Sequence, residues 1–205
     1  MEDIYQQIPK NDIPWDMEEP PEALVKLVIS GKIQPCKTVD LGCGTGNYSI
    51  YLAKQGFDVT GIDISSTAIS IAQEKVDDKG VSCNFITSNL LNGLDDLSGR
   101  FDFAFDWEVL HHIFPDDRIR YIESVYNMLK SNARYFSVCF SEKDPQFGGS
   151  GKFRITPIGT TLYFSSEQEL MDLFTPYFII DELKTIEIKG KKAPHLAVYA
   201  IMSKK

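Results

Sequence analysis

Asp40-Leu41-Gly42-Cys43-Gly44-Thr45-Gly46 sets three glycines between a short apolar run, Thr38 to Leu41, and a helical pattern from Tyr48 to Gln55 that Gly56 stops. A strand that turns through glycines into a helix lets the backbone approach a ligand and offers it the helix's unsatisfied N–H groups. The same alternation continues downstream. Phe57 to Ile62 predicts a strand, and Ser65 or Ser66 caps a helix whose stripe is Ala68, Ile69, Ala72 and Val76. Val81 to Ile86 and Phe101 to Phe105 predict strands. Asp116 or Asp117 then caps a helix carrying Ile119, Ile122, Val125, Tyr126 and Leu129, before a strand from Arg134 to Phe140. Strands and helices in this order imply βαβ units, an α/β chain with a mostly parallel sheet and helices on both faces. The ending differs: after a helix near Ser166 to Phe174, Tyr177 to Ile188 and His195 to Met202 are joined by six mainly polar residues. That spacing predicts a hairpin, so one C-terminal strand runs antiparallel to the rest.

With 205 residues, the expectation is a single domain. No apolar stretch approaches the ~20 residues that cross a bilayer, and the acidic Met1-Glu2-Asp3 start is unlike a signal peptide, so a cytoplasmic protein without a membrane partner is expected. Cys36, Cys43, Cys83 and Cys139 form no Cys-x-x-Cys pair, which suggests neither a zinc site nor a disulfide framework. A net charge of −8 argues against a nucleic-acid partner. Seven acids against two bases fall in residues 1–30, an arm that contains the proline-interrupted, extended Ile13 to Pro21 and then a helix with Leu24, Val25 and Val28 on one face.

The glycine spacing is Gly-x-Gly-x-Gly rather than the Gly-x-Gly-x-x-Gly of dinucleotide folds, and Asp40 precedes it. Pyrophosphate gains nothing from an adjacent acid, whereas a positively charged ligand does. Asp63 closes the second strand, where a carboxylate can accept hydrogen bonds from both ribose hydroxyls; its alternative role is to cap the helix that follows. Together these imply a nucleoside with a cationic portion.

These residues, with Gly61-Ile62-Asp63-Ile64-Ser65 and Phe101-Asp102-Phe103-Ala104-Phe105-Asp106-Trp107-Glu108-Val109-Leu110-His111-His112, resemble the S-adenosylmethionine-dependent methyltransferases of the Rossmann-like class over about Val39 to Phe140. The resemblance implies a three-layer, Rossmann-like, seven-stranded sheet, and S-adenosylmethionine as cofactor with S-adenosylhomocysteine as product. It implies that Gly42, Cys43, Gly44 and Gly46, with Asp40, line the methionine portion, that Asp63 holds the ribose and that Ile64 flanks the adenine. Asn89, next to Leu90, stands where relatives carry an acid on the adenine amino group, with Ser88 as the alternative register. Lys130-Ser131-Asn132-Ala133 replaces a common proline-glycine turn. The Ile13-Pro14-Trp15-Asp16 arm is similar to small-molecule enzymes near the tellurite-resistance and thiopurine S-methyltransferases, which implies that Trp15 folds over cofactor and substrate as part of a lid.

Methyl transfer from a sulfonium is an in-line displacement, so the protein mainly aligns the reactants and excludes water. His111 and His112 are candidates for a base or a substrate contact, with packing as the alternative. Asp106, Trp107 and Glu108 begin the loop expected to meet the methionyl end; Asp106 is a cofactor candidate and Trp107 a substrate candidate. No Asp/Asn-Pro-Pro-Tyr/Phe motif, Pro-Cys dipeptide or metal-ligand set follows, which leaves a small-molecule acceptor. The glycine-rich stretch around Phe147 to Gly159 lies in an expected substrate-side insertion, 143–164. There Arg154 and Lys152 meet an anionic substrate or pair with the acidic arm. Two other classes fit less well: a non-catalytic S-adenosylmethionine-binding regulator, and an NAD-dependent dehydrogenase, which the glycine spacing disfavours.

Overall fold

The computed structural model describes residues 1–205 apart from Gly93 and Gly149, with the backbone alone for Lys10. Gly149, part of the glycine-rich stretch noted above, therefore lies outside the described residues. The elements run α1 (Glu2–Gln7), α2 (Glu22–Ile29), β1 (Lys37–Leu41), α3 (Asn47–Lys54), β2 (Asp58–Asp63), α4 (Ser66–Lys79), β3 (Asn84–Thr87) and β4 (Phe101–Trp107). They continue with α5 (Pro115–Met128), β5 (Leu129–Phe140), β6 (Phe153–Ile155), β7 (Thr161–Tyr163), α6 (Glu167–Phe174), β8 (Phe178–Ile188) and β9 (His195–Lys204).

Period-2 alternation divides the buried residues between two layers. Val39 and Leu41 of β1, Ala104 of β4, Tyr135 and Cys139 of β5 and Val198, Ala200 and Met202 of β9 face one core, which α5 closes with Tyr121, Ile122 and Val125 and α6 with Leu170 and Phe174. Phe103 and Phe105, Phe136 and Val138, and Tyr199 and Ile201 face the other, covered by Leu24 and Leu27 of α2 and Leu52 of α3. Because both faces are covered, the strands read as nearly continuous apolar runs.

The seven strands lie in the order β3-β2-β1-β4-β5-β9-β8. β9 runs antiparallel to both β5 and β8, as the terminal hairpin requires, and the other pairs are parallel. The order reverses between β1 and β4, and in open α/β sheets a ligand binds at the carboxyl ends of strands beside such a switch point. Helix ends follow local chemistry: Ser65 accepts the Ala68 N–H at 3.1 Å, and Ser166 and Glu169 form a reciprocal capping box on α6.

Several boundaries differ from expectation. Neither Asp116 nor Asp117 caps α5; Phe114 holds the cap position, and both acids lie in the first turn, where their charge is favourable beside the positive end of the helix dipole. Leu129 is not on α5 but opens β5, because Asn132 takes a left-handed backbone (φ 62°) that lets the strand start early with a bulge against β4. β3 starts only at Asn84. Ile119 is 60% exposed, and Leu27 rather than Val25 is buried on α2. The glycine-rich stretch includes a short hairpin, β6–β7, and the N-terminal arm begins with α1, which the sequence reading did not anticipate.

Candidate active site

The carboxyl ends of β1, β2 and β4 bring the predicted loop residues together, but the glycines serve partly different purposes from those expected. A Cβ on Gly46 (φ 76°) would lie 2.9 Å from both Ala72 and Phe85, so this glycine lets α4 and β3 close on the loop rather than exposing backbone to a ligand. A Cβ on Gly42 would lie 2.5 Å from Val109. At Gly44 the group a Cβ would meet, at 2.9 Å, is the hydroxyl of Tyr5 from α1, so the arm covers the loop. The Cys43 thiol packs towards Gly61, and burial pushes it well above its ordinary range.

Asp40 is not the counter-charge for a bound cation. It is buried, accepts a 2.6 Å hydrogen bond from Ser49, and burial raises its carboxyl to about 7. Asp63 stands at the open end of β2. Its two oxygens accept the Gly44 N–H at 2.8 Å and the Ser65 N–H at 2.9 Å, so one carboxylate ties the glycine loop to the start of α4. Each oxygen keeps a lone pair for a ribose hydroxyl. Burial moves this carboxyl above its ordinary value against the opposing effect of those N–H groups. Ile64, next to it, is 54% exposed, an apolar surface free to flank a flat ring. The Asn89 carbonyl accepts the Leu91 N–H at 2.9 Å, and Leu90 is buried in the core. Asn89 therefore shapes the turn after β3 with the same oxygen expected to meet adenine, leaving one lone pair on it.

Beyond β4, Asp106 turns inward. Tyr121 and Ser137 each donate to it at 3.2 Å, Tyr135 donates to it too, and burial raises it to about 6. Its side chain thus organises the core between β4, β5 and α5 and does not face the cofactor loop, which corrects the expectation of a cofactor contact. Glu108 adopts φ 66°, left-handed for a non-glycine residue, and its backbone N–H donates to Val138 at 2.8 Å. Glu108 lines the chamber described below, and burial alone raises its carboxyl to about 7. His111 is buried, and its Nδ1 accepts the Phe140 N–H at 3.3 Å. In the neutral ring the proton then sits on Nε2, so His111 can donate a hydrogen bond but has no nitrogen left to accept a proton. This corrects its candidacy as a base. His112 is lowered to about 4, chiefly by burial.

The N-terminal arm closes over this end of the sheet. Trp15 donates to the Tyr5 hydroxyl at 2.9 Å and meets His112 edge-on, with ring centroids 5.9 Å apart. Glu2 accepts the hydroxyls of Ser65 at 2.6 Å and Thr67 at 2.5 Å, a carboxylate held at the N-terminus of α4, and these bonds lower it to about 2. Only the spacing of Ile4, Tyr5 and Ile8 in the sequence marks α1 as one-sided.

Between this arm, the stretch after β5 and the β8–β9 turn lies a chamber of about 2240 Å³. One wall is a run of rings: His112 and His111 (4.7 Å), His111 and Phe140 (4.2 Å), Phe140 and His195 (4.6 Å), and His195 and Phe147 (5.4 Å). Trp107 also lines it. Arg154 lines the chamber, but its guanidinium is engaged within the protein rather than offered to a ligand as expected: it is 3% exposed, donates to the carbonyls of Glu142 (2.8 Å), Gln146 (3.0 Å), Gly151 (3.0 Å) and Asp144, and stacks over Phe164. Lys152 pairs with Glu169 at 2.5 Å and Glu142 at 3.4 Å, not with the arm. The bases that meet the arm come instead from the β8–β9 turn, where Lys189 reaches Glu19 at 2.9 Å and Lys191 reaches the Ile13 carbonyl at 2.6 Å. Among the described residues, no helix is long and apolar enough to cross a membrane and no acid, histidine or cysteine group is placed to hold a metal ion.

The methyltransferase-domain family matches residues 38–132. The 2-heptyl-1-hydroxyquinolin-4(1H)-one methyltransferase of Mycobacteroides abscessus is 26% identical over 175 residues, 83% of this chain and 70% of that protein. A methyltransferase of Schizosaccharomyces pombe is 33% identical over 118 residues, 58% of this chain and 80% of that protein. Among solved structures, an S-adenosylmethionine-dependent methyltransferase of Methanosarcina mazei superposes with a TM-score of 0.76 at 26% identity, covering 86% of this chain and 96% of that one.

Proposed function

This chain belongs to the S-adenosylmethionine-dependent methyltransferases of the Rossmann-like class, and we propose that its methyl acceptor is a small, planar aromatic molecule bearing an acidic hydroxyl or ring N–H. The observation that carries this is the unbroken wall of rings from His112 to Phe147, with Trp15 edge-on at its end. Such a wall holds a flat ring by stacking. The hydroxyquinolinone named for the Mycobacteroides relative is of the same kind.

The residues present suit the donor. Asp63 offers its free lone pairs to the ribose, Ile64 an apolar face to the adenine, and the covered glycine loop its backbone to the methionine portion. The donor supplies a methyl group already activated on a sulfonium. The chain's own task is to hold the acceptor in line and keep water out, which the arm and the ring wall do together. Glu108 takes the acceptor's proton. It faces the chamber with a carboxyl raised to about 7, near the working pH where a general base is most effective, whereas His112, lowered to about 4, is a much weaker acceptor. The neutral His111, which lines the chamber with Nδ1 taken by the Phe140 N–H, serves as a hydrogen-bond donor to substrate through Nε2–H.

We place residues 1–205 in one domain, with 1–30 as the lid and 143–164 as substrate-side chain, to which Phe147 contributes ring surface. Four free cysteines suit the reducing cytoplasm, and the net charge of −8 weighs against a nucleic-acid substrate. The test is transfer of labelled methyl from the donor across a panel of hydroxylated aromatics, N-heteroaromatics and aliphatic thiols. Transfer should favour the flat acceptors; labelling of aliphatic thiols alone would overturn the aromatic assignment, and no transfer to any acceptor would favour a non-catalytic binder.

A further inference from the structure

The geometry points to Asp16 as the residue that receives the α-ammonium of the donor's methionine portion, an assignment that rests on the donor proposed above. Asp16 is 8% exposed, and one oxygen is fully engaged: Oδ1 accepts the Thr45 hydroxyl at 2.7 Å and the Asn47 side-chain amide at 2.8 Å. The other oxygen, Oδ2, is buried and has no hydrogen-bond partner. A buried acceptor without a donor is uncommon in a folded protein and calls for an explanation.

Its surroundings supply one. Thr45 belongs to the glycine loop, so Asp16 is pinned to the segment that lines the methionine portion. Asn47, the second donor to Oδ1, also donates to the Met17 carbonyl at 2.9 Å, and Met17 and Trp15, the two chain neighbours of Asp16, both line the chamber. The carboxylate is thus bonded to the glycine loop through Thr45 and adjoins the chamber through its chain neighbours, where the amino-acid end of the donor must lie. Lys75 joins the same cluster, donating to the Thr45 carbonyl at 3.0 Å, the Thr45 hydroxyl at 2.5 Å and the Asn47 side-chain oxygen at 2.8 Å. Three other acids at the strand ends are already engaged, Asp40 by Ser49, Asp63 by the Gly44 and Ser65 N–H groups and Asp106 by three hydroxyls, and Glu108 is assigned above to the acceptor's proton. Because Asp16 follows Trp15 directly, binding the ammonium also fastens the lid.

Asp16→Asn keeps an oxygen for Thr45 and Asn47 while removing the charge, so it separates anchoring from ammonium binding. The full chain and this variant are titrated calorimetrically with S-adenosylhomocysteine and with 5′-methylthioadenosine, which keeps the nucleoside and sulfur but has no amino-acid tail. The variant should bind S-adenosylhomocysteine at least tenfold more weakly and 5′-methylthioadenosine within twofold of the native chain. Equal weakening for both ligands would mean that Asp16 only anchors the loop, and unchanged S-adenosylhomocysteine affinity would place the ammonium elsewhere; either overturns the assignment. A native chain that binds neither ligand would instead refute the donor itself, and the assignment with it.

Discussion

Arg154→Met separates a structural guanidinium from a substrate-binding one. The native side chain satisfies four carbonyl oxygens, those of Glu142, Asp144, Gln146 and Gly151, and lies 4.1 Å from the centre of the Phe164 ring. Methionine keeps most of the apolar stem and contributes no donor. A buried acceptor left unsatisfied costs about 1–3 kcal/mol, so even with water reaching two of the four carbonyls the loss is about 2–6 kcal/mol, in line with the roughly 3–5 kcal/mol typical of a broken buried charge contact. At about 2–4 °C per kcal/mol for a chain of this size, the melting temperature should fall by roughly 4–24 °C in a thermal scan followed by circular dichroism. Arg154→Lys should recover little of it, because one ammonium cannot span four carbonyls set around a planar fork. S-adenosylhomocysteine affinity should stay within about threefold wherever the variant is folded, since none of these carbonyls touches the glycine loop. A variant that melts with the native chain yet no longer retains acceptor would refute the structural role and restore Arg154 to the substrate.

Glu108→Gln should remove the acidic limb of the pH–rate profile: the native rate rises through about pH 7 as the raised carboxyl loses its proton, and the variant should be slower by about 100-fold, near the low end for general-base catalysis, with a flat profile. A limb that persists near pH 7 in Glu108→Gln would assign the proton to another group. Asp63→Ala removes a charged ribose contact worth about 1.5–3 kcal/mol and frees the Gly44 and Ser65 N–H groups, so calorimetry should show S-adenosylhomocysteine binding weakened at least tenfold; an unchanged constant would put the ribose elsewhere. Gly46→Ala forces a Cβ to 2.9 Å from Ala72 and Phe85 in a left-handed backbone, and should lower stability by about 1–3 kcal/mol in urea titration; a midpoint equal to the native one would contradict the packing role.

The α/β class, the parallel order and the antiparallel ending were legible in the sequence because each rests on local signals. These are glycines at the end of β1, alternation that sends Val39 and Leu41 to one face, stripes such as Ala68, Ala72 and Val76, and the spacing of the last two strands. Asp63 was legible for the same reason, since its position at a strand end is a matter of chain order. What a side chain faces was not legible, because that depends on residues far away in the chain. Asp40 and Asp106 sit at strand ends like Asp63, yet Ser49 takes the one and Tyr121, Tyr135 and Ser137 the other. His111 lost its part as a base to the backbone of Phe140, and Arg154 its part in binding to four carbonyls of its own loop. The sequence by itself determined the fold, which follows from periodicity and the strand-to-helix turn, while the donor was legible through the resemblance carried by the glycine loop and the strand-end residues rather than through the charge of Asp40. Only the tertiary structure decided which carboxylates remain open to ligand and proton, Asp16 at the loop and Glu108 in the chamber, because a group's charge and availability depend on burial and on partners that folding alone brings near.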